Sequence, residues 1–124
     1  MGVAAAAAAL RAHGSVSRVA LAACGQLVNL CKEAQNKQPA ADAGALEAIV
    51  AALHAHPQDA GVQQFGWGCG ALGLVCHGTD AAGLARKQRA ADAGAIEAAA
   101  AAMQAHPQVA GVQAQGQRLR DLLA

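Results

Sequence analysis

The chain has 124 residues, of which 55% are hydrophobic but only 2% aromatic, and its formal net charge is +1. That length fits one domain, and that charge excludes a strong field for drawing in nucleic acid or an anionic membrane. Much of the apolar count is alanine, which favours helix but buries little surface, so the composition promises helices more firmly than a thick core.

The alanine run before Leu10 lacks a basic leading region and is cut short by Arg11, so a secretory signal is not expected. No stretch reaches the roughly 18 apolar residues of a membrane span. Met1-Gly2 is followed by Ala6 where a myristoylation start needs Ser or Thr. A cytoplasmic or nuclear location is the resulting expectation.

In chain order, residues 3–12 are alanine-rich with Leu10 near the end, and predict a helix. Gly14-Ser15 breaks it, with Ser15 or Ser17 as N-cap of the next. Residues 16–31 follow with Val16, Val19, Ala23, Leu27, Leu30 and Cys31 on one side. Residues 32–38 are polar and read as a connector. Pro39 suits the first position of a short helix over 40–43, which Gly44 ends. Residues 45–56 form the next helix, with Leu46, Ile49, Val50 and Leu53 as its stripe and Pro57 as its stop. Asp59 can cap a following helix that carries Val62, Phe65, Cys69, Leu72 and Cys76. Glycines at 66, 68, 70 and 73 weaken that helix by about 1 kcal/mol each against alanine. Thr79 and Asp80 start another, running through Leu84 and Arg86-Lys87-Gln88-Arg89 to Ala93. Gly94 stands where Gly44 stood. Residues 95–105 and 109–123 give the last two helices, separated by Pro107, and the final one carries Val112, Leu119, Leu122 and Leu123.

This order is a repeat. The cassette from Ala40 to Gln64 returns from Ala90 to Ala114, matching at about 18 of 25 positions without a gap. Residues 1–31 are a further partial copy, in which Leu10 and His13 mirror Leu53 and His56, and Cys24-Gly25 mirrors Cys69-Gly70. The chain thus divides into a partial unit 1–31 and units 32–76 and 77–124. Each full unit is a short helix, a glycine, a long helix ending at His-Pro and a second long helix. A period of about 40–50 residues marks a stacked-repeat architecture.

With Asp42-Ala-Gly-Ala-Leu-Glu-Ala48 and its copy from Asp92 to Ala98, the chain resembles the armadillo-repeat family. These stretches look like the turn between that family's first and second helices. Val62-Gln63-Gln64 and Gly70-Ala71-Leu72 look like pieces of its third. The resemblance implies an all-α, right-handed α-solenoid of short-helix/long-helix/long-helix repeats, whose third helices line a concave groove for an extended peptide. Family members hold that peptide with Asn and Trp from successive units. Here Asn29 stands at the Asn position, followed by Leu74 and Ala124, while Gly25, Gly70 and Arg120 stand at the Trp position. The ladder is therefore kept at Asn29 alone.

Trp67 lies opposite the 62, 65, 69, 72, 76 stripe, near Gly70 and Leu74, on the side the family turns toward its groove. It reads as a surface anchor for a partner, against the plainer reading that it packs on the neighbouring unit. The groove candidates are Asn29, Gln63, Trp67, Leu74, Gln117 and Arg120.

No chemistry competes with this. Cys24-x6-Cys31 and Cys69-x6-Cys76 each span about 10 Å along a helix, too far for a disulfide or a shared zinc within a pair. Small core residues repeated with the unit explain them better, although a cross-unit pairing such as Cys24 with Cys69 stays open, as does their redox state. His13, His56 and His106 occupy one repeat position and suit a helix C-terminus. His54 and His77 stand outside that series, and Cys76-His77 is a weak ligand pair. Asp42, Glu47, Asp92 and Glu97 recur with the unit as charge near helix ends. No nucleophile, base and orienting group converge, and no phosphate loop follows a strand. The run Arg86-Lys87-x-Arg89 reads as a solvated helix face rather than a phosphate-tracking one. The expectation is a non-enzymatic protein-binding scaffold without metal or cofactor, engaging an extended segment of another protein. The alternative is an uncapped structural piece of a longer array, prone to self-association at its end stripes.

Overall fold

The computed structural model describes residues 2–56, 58, 59, 75 and 78–123. Every regular element among them is helical. Helix α1 (Val3–His13) buries Ala6, Ala7 and Leu10, and pairs with α2 (Ser17–Cys31). The turn between them closes by Val16 N donating to His13 O at 3.0 Å. That turn makes Val16 the N-cap, with no side-chain cap bond, so neither Ser15 nor Ser17 caps α2. The buried stripe of α2 is Ala20, Ala23, Cys24, Leu27 and Cys31. It lies one step round from the expected one: Val16 is exposed and Val19 and Leu30 are only half-buried. Ala20 and Cys24 are small side chains, which suits a helix face packed closely on its neighbours.

The 32–38 stretch is shorter as a connector than expected. It holds a 3-10 turn (Ala34–Asn36) that runs directly into α3 (Lys37–Asp42). Asn36 Nδ2 donates to Leu30 O at 2.7 Å, satisfying a terminal carbonyl of α2 and starting α3 early. Pro39 is therefore the third residue of α3 rather than the first. It still lies in the first turn, where no intrahelical donor is required of it.

Gly44 and Gly94 adopt left-handed backbone at φ +85° and +94°. Each lets the chain leave a short helix and at once start a long one, a step that costs about 1–2 kcal/mol for a residue with a Cβ. The closing bonds are the same in both copies: Gly44 N to Ala41 O and Gly94 N to Ala91 O, each 3.0 Å. The long helices that follow, α4 (Ala45–Ala55) and α6 (Ala95–Ala105), end on His56 at φ −127°, ψ 56° and His106 at φ −128°, ψ 59°. Between them, α5 (Ala81–Asp92) is capped by Asp80, whose Oδ1 accepts from Gly83 N at 2.8 Å. The chain's last described helix is α7 (Ala110–Leu123), paired with α6. The helix expected after Asp59, with Cys69 and Cys76, lies outside the described residues.

Equivalent helices are neighbours. α4 lies against α1 on one side and α6 on the other, and α3 lies against α5. The largest fully buried side chains include Leu27, Leu46, Ile49, Val75, Val112 and Leu119, with alanine filling most of the rest. All four residues of the expected α4 stripe are buried. Its copy α6 buries only Ala95, Ala98, Ala99 and Ala102.

Candidate functional site

Of the six groove candidates, three are described. Asn29 is exposed on α2, and Gln117 and Arg120 are exposed on α7. Gln117 Nε2 donates to Asp121 Oδ1 at 2.9 Å, one turn on. Asn29 belongs to the first unit and Gln117 and Arg120 to the last, and among the described residues α2 and α7 are not a closely packed pair. Gln63, Trp67 and Leu74 lie outside the described residues. The repeat counterpart of Gln63 is Gln113, whose Nε2 donates to Met103 O at 2.7 Å and to His106 O at 3.1 Å. That amide closes the end of α6, using two carbonyls that have no intrahelical partner.

Side chains also bridge successive units at repeated places. Arg11 Nη1 donates to Ala43 O at 2.9 Å, and a Cβ on Gly44 would lie 3.5 Å from the Arg11 side chain. One unit later His54 occupies the matching place, with Nε2 4.0 Å from a Cβ on Gly94. His56 Nε2 lies 2.6 Å from Gly14 O. Its ring therefore reaches the preceding unit rather than only its own helix end. Exposed Arg89 and Glu47 form an ion pair at 2.6 Å between α5 and α4, worth little in stability at such exposure.

The basic run on α5 is not a solvated face throughout. Arg86 is only 7% exposed, while Arg89 is exposed and Lys87 half-buried. Arg86 Nε donates to Val75 O at 2.7 Å and Nη1 donates to Gln38 Oε1 at 2.8 Å, tying α5 to α3. Gln38 in turn donates to Asp42 Oδ1 at 2.8 Å, a bond that Gln88 and Asp92 repeat at the same length. The missed signal was the spacing of Gly83, Arg86 and Ala90, which places Arg86 on the inward stripe of its helix.

Lys37 is likewise buried, at 8% exposure. Burial holds its ammonium below lysine's ordinary value, Cys31 acts the other way, and Arg86 adds to the lowering. Burial pushes the Cys31 thiol up, against the pull of Lys37 and Arg86. Cys31 Sγ donates weakly to Asn36 O at 3.9 Å. Cys24, wholly buried, is pushed up to about 12 by burial, so it is an inert thiol. Both cysteines are free. Among the described residues no three His, Cys, Asp or Glu side chains gather as a metal-holding group. No helix among them is long and apolar enough to cross a membrane.

Comparisons with protein-family models, with curated proteins and with solved structures returned no match for the chain.

Proposed function

We propose that the chain is a non-catalytic, armadillo-like helical-repeat scaffold of the cytoplasm that holds an extended segment of another protein. The observation that carries this reading is the stacking of equivalent helices, α1 beside α4 beside α6 and α3 beside α5, around turns of matching geometry. Nearest-neighbour stacking of this kind gives a rigid extended surface rather than a closed pocket, and such surfaces serve recognition. Exposed Asn29, Gln117 and Arg120 on α2 and α7 supply polar contacts for a peptide backbone. The sequence pattern adds Trp67 as the anchor, with Gln63 and Leu74 as further candidates. Free Cys24 and Cys31 suit a reducing compartment.

The test is selection from a displayed library of random linear peptides, followed by binding to Asn29→Ala, Trp67→Ala and Arg120→Glu variants. Peptides that lose affinity in these variants, while the melts stay cooperative, support the reading. Selected peptides that bind all three variants equally, or no selection above background, sink it.

A further inference from the structure

We propose that the cleft between α3, the 32–36 connector and the 78–80 turn is a binding site for a phosphate-bearing anion, with Lys32, Lys37 and Arg86 as its cationic wall. The inference is independent of the scaffold reading. The cleft is open to solvent and has a volume of about 740 Å³, within the roughly 300–1,000 Å³ of small-molecule sites. Its lining side chains include those three cations against one carboxylate, Asp80. That carboxylate already accepts from Gly83 N as the cap of α5. Glu33, beside Lys32, accepts from Gln35 Nε2 at 3.1 Å. The net of two positive charges on the lining matches a phosphate monoester, which carries about −1.5 to −2 at neutral pH.

Arg86 is held in place before any ligand arrives. Arg86 is held at Nε by Val75 O and at Nη1 by Gln38. Its Nη2 lies against Gly78, where a Cβ would come within 3.1 Å. Gly78 itself has φ +143° and is overlain by Gly83, whose added Cβ would fall 2.6 Å from the Gly78 carbonyl. Two glycines thus bring the turn close enough for a buried guanidinium to sit beside it. Lys37 lines the same cleft, and the Arg86 guanidinium adds to the lowering of its ammonium. Cations gathered in one cleft are a feature of functional sites. An anion in the cleft would be attracted by all three cations of the lining. Lys32, exposed at the edge, and Thr79 add an ammonium and a hydroxyl donor.

The experiment is titration of inorganic phosphate into the full chain by phosphorus NMR, with chloride holding ionic strength constant. A phosphoserine peptide and a small phosphate monoester form parallel arms. We expect saturable binding of phosphate that weakens about tenfold in Lys32→Ala and in Lys37→Met, the loss of one charge-assisted hydrogen bond in each. Lys32 is exposed, so Lys32→Ala keeps the fold and the test stands even where Lys37→Met misfolds. Binding that never saturates, or equal affinity in Lys32→Ala and the parent chain, overturns the site. Tighter binding of the peptide than of the small ester identifies a phosphorylated protein segment as the source. The reverse order identifies a free metabolite, and both orders support the site.

Discussion

The imidazole of His56 donates from Nε2 to the carbonyl of Gly14, 2.6 Å away and 42 residues earlier in the chain. A carbonyl only accepts, so Nε2 carries the hydrogen. The bond closes the gap between the end of α4 and the turn after α1. We expect His56→Ala to destabilise the protein by about 1 kcal/mol, the net worth of one such bond. His56→Gln, which can present a donor of similar reach, should recover part of that loss. Denaturant melts of the two variants check this, and equal loss in both would show that packing of the ring matters instead.

Gly83 lies within α5, where alanine should gain about 1 kcal/mol of helix propensity. The structure predicts the opposite sign. A Cβ there meets the Gly78 carbonyl carbon and oxygen at 2.6 Å, backbone atoms that cannot step aside cheaply. Gly83→Ala should therefore lower the melting temperature, and a rise in it would show that the 78–83 turn is loose.

Cys24 sets a stability limit at high pH. Its folded value, about 12, lies above the ordinary 9.0. The unfolded chain releases the thiol proton first, so between those values the folded state binds more protons and stability falls as pH rises. Lys37, shifted down, acts oppositely as pH rises toward its ordinary 10.5. The comparison that isolates Cys24 is thus between the parent and Cys24→Ala. Their stability difference should be constant below about pH 9 and shrink above it.

Ile49 is wholly buried on α4, and its repeat counterpart Ala99 is wholly buried on α6. Ile49→Ala should cost about 2–5 kcal/mol. Ala99→Ile should not return the gain, because inserting methylenes into a filled interface costs about 1–3 kcal/mol. Chemical denaturation of the two single variants tests both signs.

The fold was legible where backbone chemistry repeats. Gly44 and Gly94, His56 and His106, and the α4 stripe announce a turn, an end and a face through local rules, and the structure carries them almost to the residue. It was less legible where a choice depends on a distant partner. The inward face of α2 rests on Ala20 and Cys24, whose small size matters only against neighbouring helices. Asn36 reaches back to Leu30 and moves the start of α3. Arg86 reads as a surface cation until Val75 O and Gln38 are placed beside it. For the groove candidates, spacing on one helix tells which way a side chain turns. It does not bring Asn29 on α2 and Arg120 on α7 together.

The fully buried residues of α6 are all alanine, which makes the two copies of one cassette unequal in how firmly they are held. Ile49, Val50 and Leu53 of α4 correspond to Ala99, Ala100 and Met103. The first two replacements give up apolar area at about 25 cal/mol per Å², and the third keeps it. The opening of the molecule under native conditions should follow that gradient. Amide hydrogens of α6 and α7 should exchange with solvent through partial openings, while those of α4 wait for global unfolding. One duplicated sentence of sequence has thereby produced an anchor and a clasp: a half that holds the shape, and a half that can let go without losing it.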